Sequence, residues 1–134
     1  MAGLIAMQTR CACDSNKNFT DCCGCYIGGN TPAPNAEALM RSRYVAYTLG
    51  CEDYLLVTWH SSTCPATLDT ADKIETKWLG LEVKRHEYNL QEPDHAVVEF
   101  VARYKVGGRA YRLHEVSRFV REGEQWFYVD GDIR

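Results

Sequence analysis

The sequence predicts an α+β protein, with three helices in the first half, about four antiparallel strands after them, and a small cysteine knuckle ahead of both. Three observations carry this. Apolar residues recur at three- and four-residue steps between Asn35 and Leu49. The pattern changes to period two from Trp78 onward. Five of the seven cysteines fall between residues 11 and 25. At 134 residues and 46% hydrophobic content, the chain can build one core plus an appendage. A formal charge of -3 gives no whole-molecule attraction to nucleic acid or to an anionic membrane.

Cys11 and Cys13 flank a single residue, and Cys22 and Cys23 are adjacent. This C-x-C…C-C pattern supplies the four soft thiolates that a tetrahedral structural zinc prefers. The polar stretch Asp14-Ser15-Asn16-Lys17-Asn18 is turn-prone and can bring the second pair back to the first. Neighbouring side chains such as Cys22 and Cys23 point apart, which disfavours two local disulfides; a disulfide framework and incidental thiols are the competing readings. Grouped thiols, with Cys51 and Cys64 isolated, suit a reducing compartment and a cytoplasmic protein. A knuckle this small cannot hold itself together by burial, so it should depend on Zn2+ and on docking against the larger part.

The run Cys11-Ala12-Cys13-Asp14-Ser15 followed by Cys22-Cys23 resembles the SEC-C motif, the short zinc-binding module named after the tail of the SecA translocase motor. Downstream, Met40-Arg41-Ser42-Arg43-Tyr44, Tyr54-Leu55, Thr58-Trp59-His60, Trp78-Leu79-Gly80-Leu81, Phe100-Val101-Ala102-Arg103-Tyr104, Glu115 with Ser117-Arg118-Phe119, and Trp126 to Gly131 are similar, in order, to the YchJ-type family of uncharacterised bacterial proteins. The resemblance covers nearly the whole chain from Cys11. It implies an amino-terminal SEC-C segment followed by a nuclear transport factor two-like cone, a curved sheet wrapped by helices, and it implies no activity. The SEC-C module in the translocase motor is an interaction device, which implies a protein partner. Ala12 and Asp14 stand where the family usually has Pro and Gly; Asp tolerates left-handed backbone better than most residues. Cys25 stands where the family pattern is usually not cysteine, which makes it an alternative ligand.

Taken in order, residues 1–10 read as a frayed end, since Met1 to Met7 is apolar but lacks a basic leader and is too short for a membrane span. Residues 11–30 form the zinc-binding segment and residues 31–134 the α+β domain, with Gly28-Gly29, Pro32 and Pro34 marking the connector. Asn35 can cap a helix running to Leu49, stopped by Gly50. Its apolar face is Ala36, Leu39, Met40, Tyr44 and Tyr47, with Glu37 and Arg41 as an exposed pair one turn apart. Arg43 falls among the apolar positions, so its guanidinium should seek a carboxylate. A second helix is expected from Glu52 to Thr58 and a third from Ala66 to Glu75. Strands follow at Trp78–Leu90, Ala96–Val106, Arg109–Arg121 and Gln125–Asp130.

The Gly107-Gly108 turn fixes the register of its hairpin and sets Val106 opposite Arg109, Tyr104 opposite Tyr111, Ala102 opposite Leu113 and Phe100 opposite Glu115. One face then collects Ala96, Val98, Phe100, Ala102, Tyr104, Leu113 and Phe119. The other collects Glu99, Arg103, Lys105, Arg112, His114 and Arg118. With an even residue count at Glu122-Gly123-Glu124, Trp126, Tyr128 and Asp130 join Glu115 and Ser117 on the inner face, unless a bulge flips part of the strand.

These faces predict a ligand pocket made by Arg43, Tyr44, Tyr47, Trp59, Phe100, Tyr104, Glu115, Ser117, Trp126, Tyr128 and Asp130. The plainest role for Arg43 there is an internal ion pair with Glu115 or Asp130 that orients helix on sheet. Glu115 or Asp130, desolvated and close to Tyr128 and His60, would alternatively serve as a general acid or base in an isomerase- or dehydratase-like enzyme. His60 at a helix end suits a capping role, and His86, His95 and His114 read as surface residues. Arg103, Lys105, Arg109, Arg112 and Arg118 form a basic patch on the outer face, by default solvated. The inward-facing aromatics lie away from that patch, which disfavours nucleic acid. The expectation is a zinc-stapled binding protein acting in protein association or small-ligand capture, with no membrane attachment and a homodimer left open. An acid/base enzyme is the first alternative, and a thiol redox protein using Cys25 the second.

Overall fold

The computed structural model describes residues 10–13, 15, 17–28, 31–68 and 76–134. Asn35 opens the longest helix as expected, its side chain accepting from the Ala38 amide at 2.8 Å, and Gly50 closes it in the left-handed region at φ 72°. The helices are α1 (Cys23–Ile27), α2 (Ala36–Leu49) and α3 (Glu52–Val57), with a 3-10 turn at Phe19–Asp21 before α1. Four strands follow: β1 (Thr76–Tyr88), β2 (His95–Val106), β3 (Arg109–Glu122) and β4 (Gln125–Ile133). They form one antiparallel sheet in sequence order, the expected α+β architecture. The helix expected at 66–75 is not helical at Ala66–Leu68, and its remainder lies outside the described residues, as do residues 1–9 of the expected frayed end. No helix among the described residues is long and apolar enough to cross a membrane.

Gly107 and Gly108 both take positive φ, 59° and 80°, as a tight two-residue hairpin requires. The four cross-strand pairs expected from that turn are all present. Bulges at Leu79 and Lys84 in β1 and at Val129 in β4 curve the sheet around α2. The bulge at Val129 corrects one expectation. Arg118 pairs with Asp130 while Phe119 pairs with Tyr128, so Asp130 turns to the outer face. The cause lies in the 58–63 segment beside β4: the Thr63 hydroxyl donates to the Val129 carbonyl, and Tyr128 exchanges backbone hydrogen bonds with Thr58 and His60. The 58–60 segment thereby covers the free edge of β4.

Helix α2 is buried on two sides. Leu39, Met40 and Tyr44 join the core with Phe100, Ala102, Phe119 and Trp126 from the sheet. Ser42, Val45 and Ala46 are also buried, and the Ser42 hydroxyl meets the Tyr54 hydroxyl of α3 at 2.7 Å. Cys11, Cys13 and Cys23 belong to this same buried cluster.

Candidate metal centre and cavity

The sulfur atoms of Cys11, Cys13, Cys22 and Cys23 lie within 4.8 Å of one another. Cys13 and Cys22 are 3.6 Å apart, and Cys22 and Cys23 3.9 Å. Four thiolates at ~2.3 Å from one tetrahedral zinc stand roughly 3.8 Å from each other, so this donor set fits that ion. Among the described residues none of the seven cysteines is in a disulfide. The crowding opposes full ionisation of the four thiols. The Cys13 thiol is pushed far down by hydrogen bonds from Cys11 and Cys23, while Cys23 is held far up by its bonds to Cys11 and Cys13. Without a cation between them, the group cannot carry four negative charges together.

Local sequence builds this geometry. The Lys17 carbonyl accepts from the Cys11 amide at 2.8 Å and closes the loop between the two cysteine pairs, and Cys23 then starts α1. At Gly24 a Cβ would come 2.7 Å from the Phe19 carbonyl oxygen, so the helix can approach the preceding turn only with glycine there. Cys25, the alternative ligand, points elsewhere, its thiol donating to the Thr20 carbonyl at 2.9 Å. One contact was missed by pattern reading. Arg41 is bonded to Glu37 at 3.0 Å as expected, but the pair is half-buried, and Arg41 also donates to the Cys13 carbonyl at 2.6 Å. It ties the knuckle to α2.

A cavity of about 280 Å³ lies between α2 and the concave face of the sheet. Arg43, Tyr44, Tyr47, Trp59, Phe100, Glu115, Ser117 and Tyr128 line it, together with Met40, Trp78, Ala102, Leu113 and Phe119, which the pocket expectation did not include. Arg43 is 6% exposed. Its Nη1 donates to the Leu55 carbonyl and the Thr58 hydroxyl, both at 2.7 Å, so it caps the end of α3, the role expected of His60. Its Cζ lies 4.7 Å from the ring centre of Tyr128 and 5.2 Å from that of Trp59. The expected ion pair is absent: among the described residues no carboxylate reaches Arg43. Asp130 has left for the outer face, and Glu115 is held by the Ser117 hydroxyl, with the Tyr128 hydroxyl at 3.5 Å. Burial lowers the Arg43 pKa, and burial, followed by the charge of Glu115, raises that of Tyr128. Gly131 sits across from Ser117 and leaves the space that the Glu115 carboxylate occupies.

The other expected site residues lie apart from this cavity. Tyr104 stacks on Tyr111 and tilts against Trp78. Trp126 faces a separate hollow of about 610 Å³ between α1, α3 and the β3–β4 turn. Asp130 and Asp132 hold Arg118 on the outer face. That pairing withdraws Arg118 from the basic patch, although Arg103 and Arg112 remain exposed and directly opposite. His60 is bonded to Glu122 at 2.9 Å and to Ser62 at 2.7 Å, away from Glu115. His86 is not a surface residue: its Nδ1 lies 3.6 Å from Glu37, and its Nε2 is buried with no hydrogen-bond partner among the described residues.

Comparison with known proteins agrees with this architecture. A family model described as the YchJ middle NTF2-like domain matches residues 35–131. A UPF0225 protein of Cupriavidus pinatubonensis is 57% identical, over 96% of this chain and 91% of its own length. A UPF0225 protein of Polaromonas naphthalenivorans is 60% identical, over 85% of this chain and 81% of its own. The solution structure of a SEC-C motif containing protein from Rhodopseudomonas palustris superposes with a TM-score of 0.81 at 32% identity, covering 92% of this chain and 98% of that one.

Proposed function

Because the chain belongs to the YchJ-type UPF0225 family, with a SEC-C segment and an NTF2-like domain, we propose that it is a zinc-stapled binding protein whose cavity captures a small ligand. The observation that carries this reading is the cavity wall itself: Arg43 does not reach across to Glu115, so an apolar hollow with two charged groups stays open between helix and sheet. Cys11, Cys13, Cys22 and Cys23 would hold the zinc. When bound, it supplies charge compensation for four thiolates and the cross-link that a segment this small lacks. Arg41 carries that rigidity into α2 through the Cys13 carbonyl.

Phenol, a neutral ring-sized probe, tests the reading in the metal-loaded protein. Saturable shifts of the Met40 and Leu113 side-chain resonances are expected, since both residues line the cavity. Shifts that fail to saturate, or that scatter over the surface, would refute small-ligand capture. Elemental analysis should find zinc in tag-free protein. Acid/base catalysis is favoured as a second reading by one observation, the placement of Glu115 beside Ser117 and Tyr128 on an open wall. It predicts solvent hydrogen exchange into a bound ligand that Glu115→Gln abolishes, which simple capture does not.

A further inference from the structure

We infer that the cavity is shaped for a small organic monocarboxylate, with an apolar body about the size of one aromatic ring and a hydrogen-bond donor at the end remote from its carboxylate. The inference rests on the small-ligand reading above and specifies the ligand's chemistry.

Arg43 offers the carboxylate-binding end. A guanidinium carries five N–H donors, and both protein acceptors of Arg43 are served by Nη1 alone. Nε and Nη2 have no acceptor among the described residues. Together they form the forked edge that binds a carboxylate through two parallel hydrogen bonds. A cation this deeply buried is costly without a counter-charge, and the same side chain lines the cavity.

Glu115 offers the donor-binding end. The Ser117 and Tyr128 hydroxyls both approach its Oε2, leaving Oε1 without a protein donor among the described residues. An acceptor on the cavity wall suits a ligand hydroxyl or amine. It also repels a second negative charge, which excludes dicarboxylates and phosphate dianions. Between the two ends the lining is Met40, Tyr44, Trp78, Phe100, Leu113 and Phe119, all apolar or aromatic. The 280 Å³ volume falls just under the ~300 Å³ at which ordinary small-molecule pockets begin, so the body must be compact. Tyr128 touches both ends, its ring against the Arg43 guanidinium and its hydroxyl toward Glu115.

Calorimetry on the full metal-loaded chain with 4-hydroxybenzoate, its neutral amide 4-hydroxybenzamide, and benzoate tests the inference. The hydroxy acid should bind roughly tenfold tighter than the amide, the worth of one charge-assisted hydrogen bond. Benzoate, which has no donor for Glu115, should bind more weakly than the hydroxy acid. Arg43→Met should erase the preference for acid over amide; if that variant does not fold, the comparison on the unaltered protein decides alone. Equal affinity for acid and amide would overturn the inference while leaving small-ligand capture standing. No saturable binding by any of the three, or by phenol, would remove both.

Discussion

In the knuckle, four sulfurs supplied by residues 11 to 23 converge on one point, brought there by one loop and the start of a short helix. In the cavity, Arg43 from α2 faces Glu115 from β3, and the two come from opposite halves of the chain. The knuckle crowds four thiols into a donor set that could hold one metal ion. The cavity keeps unlike charges apart, each with a hydrogen-bonding edge that no other described residue uses. A group whose needs are met by its sequence neighbours plus one ion reads as a structural staple. Charges that the fold holds separated, at the cost of burying one of them, read as a site for something else.

The largest effects are expected at the cysteine cluster. Cys13 is fully buried in the cluster, so Cys13→Ser should abolish metal retention and lower the melting temperature by about 10 °C or more, the shift of a few kcal/mol in a domain of this size. Cys25→Ser should leave both unchanged, because that thiol serves the Thr20 carbonyl. Metal analysis beside thermal unfolding reads the pair, and equal losses from the two variants would show the ligand set to be wrong.

A pair of glycines sharpens the contrast at smaller cost. In Gly24→Ala the new methyl meets the Phe19 backbone carbonyl, which cannot step aside, and a loss of about 2–3 kcal/mol is expected. In Gly131→Ala it meets the Glu115 carboxylate, the end of a side chain that can swing, and about 1 kcal/mol is expected. Placing Gly131→Ala in a Glu115→Ala background should recover most of that loss, and urea unfolding of the full cycle measures the coupling.

The smallest effect belongs outside both regions. Arg118 holds the Asp132 carboxyl below the ordinary carboxylate range, while Asp132, followed by Asp130, holds the Arg118 guanidinium above its own. A depressed carboxyl contributes stability above its unfolded pKa of about 3.9 and loses that contribution as pH falls through the lower folded value. Arg118→Ala should therefore raise the Asp132 titration toward about 3.9 by NMR. The melting temperature at neutral pH should hardly change, since exposed pairs contribute little.

Much of this protein is written in short-range pattern. Asn35 and Gly50 bound a helix by capping chemistry, Gly107-Gly108 dictates a hairpin register, and the cysteine spacing gathers four donors; each depends on residues a few positions apart, so each was legible from the chain. Tertiary structure decided where the charges went. The bulge at Val129 depends on Thr63 and His60, which lie far away in sequence, and it alone turns Asp130 outward. With that carboxylate gone and Glu115 engaged by Ser117, Arg43 settles on the end of α3 and two aromatic rings. Periodicity tells which face a side chain occupies; the partner it meets there is set by the long-range packing of helix, loop and strand, which no local pattern encodes.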